Sequence, residues 1–360
     1  MEIYVLIEKE YFSSSWCQNI IQGIAAEKKR KKVKLQFIDS LEEITKPSKY
    51  ASVILVGTKN NWIEKNINEV KNLNLNPILI NTSKSAASFS SCNVVSSDIL
   101  GAVTEAFLLC KQTAKSKIAL YGVNPESVTD LVRKDAFLAV GGNINDIFYN
   151  NGLLKGCFYS FLPSFKKYTS VICVNDFAAI SLINRLKKEE ISTKNISIIS
   201  LSNSILGVKF SPKISSFTIN HEKFGAAAIM IHEAIIKNSF VSSFNALIKY
   251  DLIIGDTTAN LTLNKISQHN ISSNQKNDVN IYNDTELSEM ISVEHFLKNA
   301  DNSDWDILKL TKENKNRDFI SETTFLSHSA IKYRVKNYCK NFKVDNITAV
   351  IEILEKYSIL

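Results

Sequence analysis

The sequence predicts an α/β chain: two doubly wound lobes, then a small all-helical domain. Three observations carry this. Over residues 1–262, short β-branched runs alternate with longer stretches whose apolar residues recur at three- and four-residue intervals. The short runs are almost continuously apolar, as parallel strands buried on both faces are. Their number exceeds what one sheet of ordinary width holds, and past residue 283 no convincing strand pattern remains.

In chain order, residues 3–7 (IYVLI) form the first expected strand and 16–29 the helix behind it. Strands at 33–38 and 53–56 precede a helix at 62–73, and a strand at 77–80 precedes a helix at 100–113. A strand at 118–121 leads into a helix at 126–140, whose end at Gly141-Gly142 reads as a C-cap, because glycine tolerates the left-handed conformation there. Strand 171–174, helix 176–188, strand 196–201, helix 222–237 and strand 252–254 complete the α/β part. On this pattern the first lobe takes about 1–114 and 250–262, and the second about 115–249. Doubly wound folds bind ligands beyond the carboxyl ends of their strands, so the strand-to-helix junctions are where binding residues are sought.

Composition narrows the function classes. At 45% hydrophobic residues, a chain of 360 is too apolar for disorder and too long for a single ordinary core. No apolar run approaches the roughly 18 residues of a membrane span, and the start MEIYVLIEKE lacks the basic region and cleavage site of a secretory signal. A cytoplasmic protein without a membrane partner is expected. Cys17, Cys92, Cys110, Cys157, Cys173 and Cys339 show no CxxC or Cys/His spacing, so buried free thiols are expected, with neither metal nor cofactor. His221, His232, His269, His295 and His328 stand apart from carboxylates and thiols at ligand spacing, and His232 reads as a core or interface residue inside an apolar helix. Phosphate-binding glycine loops, nucleophile elbows and zinc-protease motifs are missing, so no enzymatic activity is expected. A net charge of +7 implies a polyanionic partner only where the basic residues are concentrated.

They are concentrated near the C-terminus. Residues 263–283 carry six asparagines and no periodicity, the composition of a linker. Helical patterns follow at 285–299, read as a connecting helix, and at 304–312, 317–324, 328–342 and 347–357, which makes 284–360 an all-helical domain. In FLSHSAIKYRVKNYCKNFKV (325–344), Ser327 is a good N-cap, and Ile331, Val335, Tyr338 and Phe342 share one helix face. The opposite face carries Ser329, Lys332, Tyr333, Lys336 and Lys340, with Arg334 on the flank. Lysines four residues apart repel by about 0.2–0.5 kcal/mol per pair, and a polyanion relieves that. Two helices joined by a tight turn form the geometry that lays the second in the DNA major groove. The plainer alternative is a basic, solvated helix of a small bundle.

Residues 316–350 resemble the LuxR-type helix-turn-helix, with matches at Asn316, Ile320, Leu326, Ser327, Ile331, Lys332, Val335, Asn337, Val344, Asn346 and Thr348. The resemblance implies that Lys332, Tyr333 and Lys336 face the bases, and phosphate contacts are expected from Arg334, Lys340 and Lys343, with Ser329 on the same surface. Asn314 and Lys343 stand where that family often has glycine, so both turns call for left-handed backbone. Upstream, VICVNDFAAISLINRLKKEEI (171–191) and ISIISLSNSILGVKFSPKISSFTINHEKFGAAAI (196–229) resemble the effector-binding core of LacI/GalR-type regulators. Trp16-Cys17 before IIQGIAA, and RKDAF at 133–137, agree with it, and the resemblance runs colinearly over roughly residues 1–260. It implies a two-lobed, periplasmic-binding-protein-like fold of type I, with three crossovers and a small-molecule effector, sugar-like or amphoteric, between the lobes.

Carried over residue by residue, Trp16 would stack on the effector, Arg133 would donate a bidentate hydrogen bond, and Asn175 and Asp176 would contact it from the second lobe. Ser202, beside Asn203, stands where that family has a ligand-binding Asp, which removes one charged acceptor for a sugar. Trp16 fits core packing as well as stacking, and Asp176 fits the N-cap of the following helix as well as a ligand contact. The family's N-terminal DNA-binding headpiece is not expected, since the first strand pattern opens at residue 3, and the C-terminal helix-turn-helix is expected to replace it. Together the resemblances imply a one-component transcription regulator that binds an inverted-repeat operator in double-stranded DNA as a homodimer under effector control. The alternative is a cytosolic small-molecule- or partner-binding protein whose helical tail docks protein.

Overall fold

A computed structural model describes residues 2–31, 33–48, 50–81, 92–111, 116–259, 261 and 284–360. The chain opens β1 (Glu2–Ile7), α1 (Ser15–Lys31), β2 (Lys34–Ile38), β3 (Ser52–Val56), α2 (Asn60–Asn72), β4 (Asn76–Asn81), β5 (Asn93–Ser97) and α3 (Ile99–Cys110). It continues with β6 (Ile118–Val123), α4 (Val128–Ala139), β7 (Ile147–Tyr149), α5 (Leu154–Phe161), β8 (Ser170–Cys173), α6 (Asp176–Lys188), β9 (Ser197–Ser200), α7 (Ile205–Lys209) and β10 (Ser215–Thr218). Then come α8 (Glu222–Lys237), β11 (Asn245–Ile248) and β12 (Asp251–Ile253). The C-terminal helices are α9 (Thr285–Asn299), α10 (Asn302–Lys312), α11 (Arg317–Thr324), α12 (His328–Phe342) and α13 (Ile347–Lys356). The expected linker, 263–283, lies outside the described residues.

Two compact units result, one of Met1–Ala102 with Ile219–Asp251, the other of Val103–Thr218 with Leu252–Leu360. The chain therefore passes between them three times, as the resemblance implies, but not where the sequence placed the passages. Residues 219–249, assigned to the second lobe, belong to the first unit, and 252–261 to the second rather than the first. The cause is α8. It crosses α1 at two glycines so closely that a Cβ on Gly23 would lie 2.0 Å from the carbonyl oxygen of Glu222, and one on Gly225 2.4 Å from that of Ile20.

The first unit's sheet runs β11-β5-β4-β3-β1-β2, and every pairing between its neighbours is parallel. Successive side chains of a strand point to opposite faces, so Ile3 and Val5 pack with Ile20, Ile24, Phe224 and Ile231 of α1 and α8. Tyr4 and Leu6 pack on the other face with Ile63, Ile67 and Val70 of α2. His232 of α8 is fully buried; its Nδ1 lies 2.7 Å from Ser52 Oγ, Nε2 has no partner among the described residues, and burial lowers its pKa to about 4.

The second unit's sheet runs β12-β10-β9-β8-β6-β7. α4 ends as the sequence predicts, with Gly141 at φ +98° and the Gly142 amide donating to Phe137 O at 2.9 Å. To this unit belongs the C-terminal bundle, in which α9 is a core member and not merely a connector. Its Phe296 ring meets Trp305 and Tyr338 at 5.5 Å and Phe342 at 5.7 Å, and Met290 and Val293 are fully buried. Asn314 and Lys343 both adopt left-handed backbone, at φ 58° and 56°, which is what the missing glycines require. The cysteines are free among the described residues, five buried and Cys339 half-buried. No described helix is long and apolar enough to cross a membrane, and no described group of His, Cys, Asp and Glu could hold a metal ion.

Candidate functional site

In each sheet the strand order reverses at the first strand, β1 between β2 and β3, and β6 between β7 and β8. Ligand positions in doubly wound folds lie at the carboxyl ends beside that reversal. A buried polar residue follows both central strands. After β1, Glu8 is 4% exposed and accepts from the Thr58 and Lys59 amides beyond β3, at 2.9 and 3.3 Å. After β6, Asn124 is buried and its amide donates to Asp130 Oδ2 at 3.2 Å.

Four sequence-predicted residues gather at the second unit's junction. Arg133 Nη1 donates to Asp130 Oδ1 at 3.0 Å, and Nη2 to the carbonyl of Leu201, just past β9, at 3.2 Å. These bonds fix the guanidinium plane, and each terminal nitrogen keeps a second N–H, so Arg133 is held for donation rather than free to swing. Asn175 is the N-cap of α6, its Oδ1 accepting from the Ala178 amide at 2.9 Å. The cap expected of Asp176 is thus supplied one residue earlier, and Asn175's oxygen is occupied. Asp176, the first residue of the helix, is 1% exposed. Its amide donates to Ser202 Oγ at 3.1 Å, its Oδ2 accepts from the Ser204 amide, and its Oδ1 is buried without a partner among the described residues. Burial pushes this carboxyl up to about 6, against the nearby Ser200 hydroxyl, which itself donates to Ser202 O, and Ser204, both of which lower it, and the charge of Glu294 adds to the rise.

Trp16 lies in the first unit, in the first turn of α1, where it packs half-buried on the core with its ring 5.7 Å from Tyr11. The sequence reading missed Glu8, Asn124, Asp130 and Glu294. For the first two a signal existed: a polar residue one step past an all-apolar strand, at the point where such sheets bind ligands.

The second candidate surface is α12. Ser327 caps it, accepting from the Ala330 amide at 3.3 Å, and Ser329 Oγ lies 2.9 Å from Ser327 Oγ. Lys332, Lys336, Lys340 and Lys343 are exposed, and Tyr333 is 67% exposed. Among the described residues none of these lysines forms an ion pair, although other charges of the bundle do. Lys343 Nζ lies 3.5 Å from Ser288 Oγ. Arg334 differs from its expected role as a phosphate contact. It turns onto α10, where Nη1 pairs with Asp301 at 2.9 Å and Asp304 at 2.5 Å, while the Tyr338 hydroxyl also donates to Asp304. A nearly buried Asp304 needs both donors, so Arg334 serves the packing of α12 on α10. The turn before α12 places Phe325 at φ 55°, with 95% of its surface exposed.

No family model and no curated protein matches this chain. Solved structures do. The transcription regulator CcpA of Lactococcus lactis is 17% identical, with 72% of this chain and 99% of that one covered at a TM-score of 0.52. A PurR family transcriptional regulator from Vibrio parahaemolyticus is 16% identical over 71% of this chain and 98% of its own, also at 0.52. A LacI family regulator from Weissella paramesenteroides with bound sucrose is 15% identical over 73% and 100%, at 0.51. The α/β part of this chain shares with these structures the type I periplasmic-binding-protein-like fold of two doubly wound units.

Proposed function

We propose that this chain is a one-component transcription regulator, in which the α/β part takes a small-molecule effector and the C-terminal bundle binds DNA through α12. The observation that carries the DNA half is the solvent face of α12, where Lys332, Lys336 and Lys340 repeat every four residues beside Tyr333 and, among the described residues, none of the three forms an ion pair; the carboxylate of Asp318, in α11, meets His328 at the start of α12. Left-handed backbone at Asn314, Phe325 and Lys343 supports a LuxR-type helix-turn-helix, since those residues close the turns around α11 and α12. Lys332, Tyr333 and Lys336 read bases in this proposal, and Ser329, Lys340 and Lys343 hold phosphates. The likeness to transcription regulators, one of them with bound sucrose, supports the effector half. A polyhydroxylated or amphoteric ligand suits the second unit's junction, where Arg133 donates, Asp176 and Ser202 accept, and Asn175 orients the helix between them. The target is an inverted repeat bound by a homodimer.

Selection of genomic DNA fragments by the purified full-length chain, in parallel with Lys336→Ala and Lys340→Ala, tests this. The wild-type chain should enrich an inverted repeat. Lys336→Ala should lose about 1–3 kcal/mol and relax preference at one base position in each half-site. Lys340→Ala should weaken all sites alike and lower the salt slope by about 1. No enrichment at any salt concentration would sink the reading and favour a protein-docking tail; unchanged preference in Lys336→Ala would sink the base assignment alone.

A further inference from the structure

α9 holds the second unit by two carboxylates. Its N-cap Asp284, 3% exposed, accepts from the Glu286 amide at 2.9 Å through Oδ1, while Oδ2 accepts from the Leu154 amide at 2.9 Å. Leu154 begins α5, a helix without a side-chain cap of its own. Further along, Glu294 spreads its carboxylate over the first two amides of α7, Oε1 accepting from Ile205 at 2.8 Å and Oε2 from Leu206 at 2.5 Å. Arg185 of α6 pairs with Glu286 between them. Helix amides left bare at an N-terminus need acceptors, and here those of α5 and α7 find them on a helix from the far end of the chain.

The same α7 is gripped from its other side by Asp176. Oδ2 takes the amide of Ser204, the N-cap of α7, and the carboxylate lies against Gly207 so closely that a Cβ there would come 2.4 Å from Oδ2. Three consecutive amides, those of Ser204, Ile205 and Leu206, are thus divided between two carboxylates. One belongs to the ligand junction of the sheet, the other to the bundle that carries α12. Like charges that share one set of donors oppose each other, and Asp176 Oδ1, buried without a partner among the described residues, is the atom at which a donor from outside would ease that opposition.

We propose that α7 is the relay between the junction at Asp176 and the C-terminal bundle: a donor or proton reaching Asp176 strengthens the hold of Glu294 on α7 and so tightens α9 on the second unit. Its regulatory meaning rests on the function proposed above. α9 carries Phe296, against which Tyr338 and Phe342 of α12 pack, so the hold on α9 is felt at α12. The coupling is reciprocal, as any linkage between two sites must be.

Hydrogen exchange of the full-length chain tests this in the wild type, Asp176→Asn, Glu294→Gln and the double variant. Asp176→Asn removes the charge and keeps an acceptor for Ser204. It should slow exchange over residues 284–300 about fivefold or more, and the slowing should vanish when residue 294 is Gln. A general gain in stability would persist in that background, so it is distinguishable. Exchange over 284–300 that Asp176→Asn leaves unchanged, or slows equally in both backgrounds, would overturn the relay. Should Asp176→Asn fail to fold, Glu294→Gln decides by itself through carboxyl NMR: the Asp176 titration should move down, and an unmoved midpoint overturns the proposal. Neither readout involves DNA, so a chain that enriches no DNA would fell the regulator and leave the relay standing.

Discussion

Replacing Gly225 by alanine is expected to lower the stability of the chain by about 3 kcal/mol or more, the upper end for overpacking. The new Cβ would lie 2.4 Å from Ile20 O and 2.5 Å from Ile24 N, both backbone atoms of α1, so no side chain can turn away to make room. Gly23 has the same relation in reverse, with Glu222 O at 2.0 Å. The two helices must separate, and with them Phe224, Ala228, Ile20 and Ile24, fully buried side chains on one face of the first sheet. Against a total stability of about 5–15 kcal/mol, that loss is a large share. The same substitution at Gly156, in α5, meets nothing within 4 Å and should stabilise by about 0.5–1 kcal/mol, because alanine restricts the unfolded chain and suits a helix. Urea unfolding of both variants checks the pair. Gly225→Ala unfolding at the wild-type midpoint would mean that α1 and α8 do not meet backbone to backbone.

Asp176→Asn should stabilise the chain at neutral pH, and the gain should fade in acid. The folded carboxyl titrates near 6 and the unfolded one near its ordinary 3.8, because burial disfavours the charge. The folded chain therefore binds the proton more tightly, so stability falls as pH rises from about 4 to about 6 and stays low above it. At roughly 1.4 kcal/mol per pH unit, the penalty at pH 7 is about 3 kcal/mol. Asparagine carries no charge and still offers an oxygen to Ser204, so the variant should gain about 2–3 kcal/mol at pH 7 and converge on the wild type near pH 4. A gain independent of pH, or a loss at pH 7, would refute this account. A buried carboxylate whose Oδ1 has no partner among the described residues, kept at a cost to stability, fits the binding role proposed for Asp176.

Long amphipathic helices were legible residue by residue. Helices 176–188, 222–237, 285–299, 317–324 and 328–342 end where the apolar period predicts, because caps such as Asn316 and Ser327 are local and their signals strong. Short or polar strands were not. β5 (NVVSS) and β10 (SSFT) are buried by the sheet around them rather than by their own apolar content, and β7 is only three residues long. The swap of residues 219–249 between units has a similar cause, since a helix with apolar residues on most sides does not declare its partner, and only the glycine pair on α1 and α8 decides it. At the candidate site, the resemblance points to Arg133, Asn175, Asp176 and Ser202, which the fold places at one junction, whereas Asp130 and Glu294 come to it only by folding. Arg334 misled for the same reason: its charge is visible in sequence, but Asp301 and Asp304, which neutralise it, are some thirty residues away.

The asparagine-rich stretch before α9 invites a view of the tail as a module that could be cut off or exchanged, and the trans-caps argue otherwise. A chain shortened to end before Asp284 would leave the amides of Leu154, Ile205 and Leu206 without their acceptors. Such a fragment is a damaged α/β part rather than an isolated one, and on the function proposed above its effector affinity would not be that of the parent. By the same reasoning, a foreign DNA-binding tail grafted here would have to bring two carboxylates ten residues apart on its first helix, in the places of Asp284 and Glu294. The boundary at which this chain can be recombined therefore lies within the last helices and not in the asparagine-rich stretch of residues 263–283.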